Sequence, residues 1–139
     1  MLFSELDATV RQDITALLNA HIEASAEILE EDGYIPPMLL FPDTEALSDF
    51  SEIEEDIDED TAYAVTIEAL SGEDFSYAVL SFSTTILLRG EETEALKTFI
   101  FSGDGLECLF YTPYTISGGF RKTVQLQKTV IFDVRENVF

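Results

Sequence analysis

A chain of 139 residues and 15.5 kDa, 46% apolar and 25% charged, carries enough apolar material for one domain with a sizeable core. That composition excludes wholesale disorder, collagen-like repeats and a disulfide-stapled miniprotein, the last because Cys108 is the single cysteine. The anomaly is charge: 28 acids against 7 bases give a net −21, which repels nucleic acid and anionic membranes alike.

The first predicted element is a helix over residues 4–31. Leu6, Val10, Ile14, Leu17, Leu18, His21, Ile22, Ile28 and Leu29 recur at spacings of three and four and define one apolar face, interrupted by Ser25. Ser4, three residues before Asp7, is a loose capping signal, and Gly33 supplies the stop. The N-terminus has no basic region, long apolar run or small-residue cleavage site, so no signal peptide is expected. Pro36-Pro37 forces an extended backbone into a short buried strand, Met38 to Phe41, closed by Pro42. A helical turn is expected over 43–50, where Leu47 and Phe50 are three apart.

Residues 52–60 read Glu-Ile-Glu-Glu-Asp-Ile-Asp-Glu-Asp, seven acids in nine positions. Such a run repels itself, so a mobile surface loop is expected, becoming helical near its end. A second helix is expected at 60–71 from Ala62, Val65, Ala69 and Leu70, with a strand as the competing reading because Thr61, Val65, Thr66 and Ile67 are β-branched.

Beyond residue 75 the period changes to two. Tyr77 to Leu88 alternates as a long strand; Arg89 to Glu92 turns the chain; Leu96 to Ser102 follows. Gly103-Asp104-Gly105 marks a hairpin into Leu106 to Thr115, and Ser117-Gly118-Gly119 opens the turn into Thr123 to Val134. Helices followed by a strand meander predict the α+β class: one domain over 1–139, its long N-terminal helix on one face of an antiparallel sheet of four or five strands. The Tyr77–Leu88 window is too short for a membrane-spanning helix, so a cytoplasmic protein is expected.

The charge divides with the structure. Residues 1–74 hold 21 acids and one base, Arg11, whereas residues 75–139 hold 7 acids and 6 bases. A halophilic coat would cover both halves, so the acidic half, with its surface segment at about 43–60, is the candidate functional feature. Its candidate partner-binding residues are Glu52, Glu54, Glu55, Asp56, Asp58, Glu59 and Asp60.

Other chemistry is sparse. His21 sits in an apolar stripe, where a lone histidine is ordinarily a packed or boundary residue, and Cys108 reads as a small buried hydrophobe. One histidine and one cysteine do not make a structural zinc site. Asp56, Asp58 and Asp60 open an EF-hand-like spacing that fails at Thr61 and Ile67. No catalytic residue, cofactor or metal is expected. Val79, Leu87, Leu109, Tyr111 and Ile131 lie off the main apolar pattern, and a sheet covered on one face only would leave them for a homodimer.

Pro37 to Phe41, Tyr77 to Thr85 and Glu94 to Tyr111, in the order helix, strand, helix, meander, resemble a loosely defined group of small bacterial and phage α+β proteins of unknown function. The resemblance implies the fold and no activity, ligand or catalytic residue. The expectation is therefore a non-enzymatic protein acting through protein contacts. It would be an acidic inhibitor, immunity or chaperone-like protein that binds a basic surface, or alternatively a structural accessory protein whose acidic half is only a solvated face.

Overall fold

The computed structural model describes residues 2–41, 46–49, 58–72, 74–118, 122–136 and 138, with backbone only for 46–49. A 3-10 turn at Phe3–Glu5 leads into α1 (Ala8–Asp32), β1 (Met38–Phe41), β2 (Ala46–Asp49) and α2 (Glu59–Leu70). The strands β3 (Tyr77–Leu88), β4 (Glu91–Ser102), β5 (Glu107–Ser117), β6 (Thr123–Leu126) and β7 (Val130–Arg135) follow. The class is α+β, with the long N-terminal helix, a short second helix and an antiparallel sheet.

The first helix starts later than its sequence spacing predicts. The Asp7 carboxylate, rather than the Ser4 hydroxyl, caps it by accepting from the Thr9 N–H at 2.9 Å. Residues 3–5 form instead a separate turn, closed by the Leu6 N–H donating to Phe3 O at 3.2 Å. At the other end Gly33 adopts φ 74° and donates its N–H to Leu29 O, so the expected stop is where the helix ends. Ile14, Leu18, Ser25 and Leu29 form its buried stripe.

The strand order is β2-β1-β3-β4-β5-β6, with β7 continuing beside β5. Leu88 pairs with Glu91 across a two-residue turn, Arg89 at φ 54° and Gly90 at φ 81°, the positive pair a type I′ hairpin needs. The tight turn lets the ladder run unbroken, so β4 begins at Glu91 and not at Leu96. The last predicted strand divides in two: Thr123–Leu126 pairs with residues 114–117 of β5, and Val130–Arg135 with residues 107–111, shifted by a bulge at Leu109/Phe110. Residues 46–49, expected within a helical turn, are instead a strand antiparallel to β1. Pairing with the edge of β1 gives this segment a backbone partner along four positions and outweighs a single i,i+3 apolar pair. This strand and the divided last one raise the count above the expected four or five.

The sheet carries a helix on each face, where one covered face was expected. Val79, Ile100, Cys108 and Phe110 pack under Ile14 and Leu18 of α1. Leu80, Phe82, Phe99, Phe101 and Leu109, the alternate positions of the same strands, pack under Ala62 and Leu70 of α2. The helices therefore pack against opposite faces, so the face expected to lie open carries α2. The five residues assigned to a common patch also separate: Val79 and Leu109 are buried, Tyr111 is half-buried, and Leu87 and Ile131 are exposed. Among the described residues no helix is long and apolar enough to cross a membrane.

Candidate functional site

The acidic run reaches the described structure at α2, and its last three acids begin that helix. Asp58 is the N-cap, its carboxylate accepting from the Thr61 N–H at 2.7 Å. Hydrogen bonding from Thr61 favours the ionised form and holds its carboxyl below the ordinary range. Glu59 lies 3.5 Å from Lys97 Nζ and accepts from the Thr84 hydroxyl at 2.9 Å, so the start of α2 is tied to both β3 and β4. Asp60 is exposed. Glu52, Glu54, Glu55 and Asp56 lie outside the described residues.

The three acids line an open groove of about 600 Å³ with Tyr34, Pro37, Phe82 and Ser83. Tyr34 is 54% exposed. It shares this groove with three consecutive carboxylates, a combination suited to a lysine or arginine: charge for the head group, a π face for the cation or its stem. Sequence alone does not bring Tyr34 and Phe82 here, because both arrive from other elements. Ser83 fixes this wall, since its hydroxyl accepts from the Ile35 N–H at 2.9 Å and from Tyr114 Oη at 3.0 Å.

Lys97 has a second role that its sequence position hides. Its ammonium lies 5.4–5.8 Å from the ring centroids of Phe82, Phe99 and Tyr111. The Lys97→Met variant keeps the stem and removes the charge. It is expected to lose about 1 kcal/mol in urea unfolding, the sum of a cation–π term and a half-exposed ion pair. An unchanged urea midpoint would show that the charge contributes nothing to docking α2.

A second polar cluster lies on the same face. Tyr63 of α2 donates to the buried Glu107 carboxylate. Burial pushes Glu107 up, and the same burial, reinforced by Glu107, pushes Tyr63 up to about 12. Arg135, opposite Glu107 in the ladder, pairs with Asp133 at 3.2 Å. No local pattern announces this cluster, because Tyr63 and Glu107 are 44 residues apart.

Beneath α1, His21 Nε2 lies 2.5 Å from Ser81 Oγ, and burial lowers the ring's pKa to about 4. Ser81 has no exposure and His21 is half-buried, so the pair is a part-buried contact in which each side chain satisfies the other. The Cys108 thiol, also fully buried, is pushed up to about 12 and is correspondingly inert. Among the described residues no group of three or more His, Cys, Asp or Glu is placed to hold a metal ion. Compared with known proteins, no family model, curated protein or solved structure matches the chain.

Proposed function

We propose that this is a non-enzymatic binding protein that uses the acidic surface at the N-terminus of α2 to engage a basic surface on another protein. It would act as an acidic inhibitor, an immunity protein or a chaperone does, and work in the cytoplasm. The groove of Asp58, Glu59 and Asp60 beside the exposed Tyr34 carries the reading, since its chemistry suits a lysine or arginine side chain. In the chain the preceding four candidates, Glu52, Glu54, Glu55 and Asp56, extend the same charge. Carboxylates held this close repel one another within the screening length of about 8 Å at physiological salt, and a cationic partner relieves that cost.

The alternative, an accessory protein with a merely solvated acidic face, draws on one observation: Asp58 and Glu59 already have structural roles, as a cap and as a tie to Lys97. Zero-length carbodiimide coupling in the native host's lysate separates the two. On the binding reading, carboxylates of residues 52–60 become linked to lysines of one specific protein, and the linkage disappears at high salt. Couplings scattered over the whole acidic half, with no preferred protein, favour the solvated face.

A further inference from the structure

We propose that the groove between the N-terminal half of α1 and β7 binds a small monocarboxylate with an apolar body, and that Arg11 receives its carboxylate. The groove has a volume of about 850 Å³, within the range of small-molecule sites, and Leu2, Phe3, Arg11, Thr15, Asn19 and Ile131 are among its walls. No acid lines it. In a chain with 28 acids that is unusual, and the other described grooves show the contrast: Asp7, Asp74, Asp104 and Glu136 line one, Asp58 to Asp60 another, and Glu91, Glu92 and Glu94 a third.

Arg11 is the only base in residues 1–74, and its Nε is buried without a hydrogen-bond partner among the described residues. Asp7 stands one helical turn before it, at the spacing that ordinarily makes an ion pair, but its Oδ1 accepts from the Thr9 N–H and no ion pair joins these two described residues. A buried guanidinium donor left unpaired is costly, and a carboxylate is the planar acceptor that fits its fork. A single positive charge flanked by the neutral Gln12, Thr15 and Asn19 balances one negative charge, which favours a carboxylate over a phosphate dianion. The apolar body follows from the other wall, where Leu2 is 65% and Ile131 47% exposed.

Calorimetric titration below the micellar range, with decanoate, decanol, decyltrimethylammonium and acetate as probes, tests this directly. Decanoate is expected to bind at least about tenfold more tightly than decanol, with acetate and the cationic probe silent. Arg11→Gln is expected to lower decanoate affinity by about tenfold or more and to leave decanol affinity unchanged, and Ile131→Ser to weaken both. In the wild-type protein the Arg11 Nε–H resonance is expected to shift with decanoate and stay still with decanol, a readout that does not depend on any variant folding. Equal affinity for decanoate and decanol, decanoate binding that ignores Arg11→Gln, or no binding of decanoate at all would each overturn the proposal.

Discussion

Replacing Gly103 by alanine is expected to destabilise the protein by about 3 kcal/mol, at the upper end of what overpacking costs. The reason is a close approach, and no positive φ is involved: a Cβ at this position would sit 2.1 Å from the Phe75 carbonyl oxygen. The two backbones are held there by the Gly103 N–H donating to Ser76 O at 2.9 Å, which ties the β4–β5 turn to the start of β3. Neither side is the movable end of a side chain, so relief requires shifting a strand. Gly105, two residues on, has φ 92° and is the residue of this turn that needs a left-handed backbone. Gly105→Ala is expected to cost less, about 1–2 kcal/mol. Urea unfolding of both variants checks the order; a Gly103→Ala protein as stable as wild type would show that the strand ends are not held as described.

The second large effect is a dependence on pH through His21. Its folded pKa of about 4 lies below the unfolded value of 6.5, because burial disfavours the imidazolium. The unfolded chain therefore binds the extra proton between those values. The stability associated with the neutral ring is complete above pH 6.5, falls as pH drops toward 4, and is level below that. The whole window amounts to about 3 kcal/mol, of which about 2 is lost by pH 5. Glu107 acts in the opposite sense, since its raised pKa makes folding take up a proton as pH falls. Relief of repulsion among the surface acids also favours the fold at low pH. The informative quantity is thus the difference between wild type and His21→Asn, which can retain a bond to Ser81 and cannot titrate. The wild type is expected to lose about 2 kcal/mol relative to the variant between about pH 7.5 and pH 5. Parallel pH curves would mean that His21 titrates alike in both states.

Much of this architecture is legible locally. The α1 stripe, the Gly33 stop and the alternation of β3 each depend on residues within a few positions of one another. The start of α1 misled because Ser4 and Asp7 are both acceptable caps, and only the turn at Phe3–Glu5 decides between them. The second layer is less legible. Apolar residues on both faces of β3 are compatible with a subunit interface or with a second helix, and α2, with its β-branched residues, looks helical only in part. Asp58 to Asp60 stand out by charge density alone, whereas Tyr34, Phe82 and Lys97 join them only through pairing of distant strands. Arg11 stands out as the lone base of its half, but that its Nε lacks a partner among the described residues is a fact of three dimensions.

Whether the acidic surface makes a functional contact is tested most directly by the salt dependence of association. The protein linked to residues 52–60 would be purified, and its association rate with this chain measured from low to high ionic strength. The wild type is expected to slow by about tenfold or more across that range, as steered association does. The joint substitution Glu54→Gln, Glu55→Gln, Asp56→Asn and Asp58→Asn keeps a capping side chain at position 58. It is expected to slow association at low salt and flatten the dependence. An association rate indifferent both to salt and to these four substitutions would mean that the acidic surface does not bind the partner.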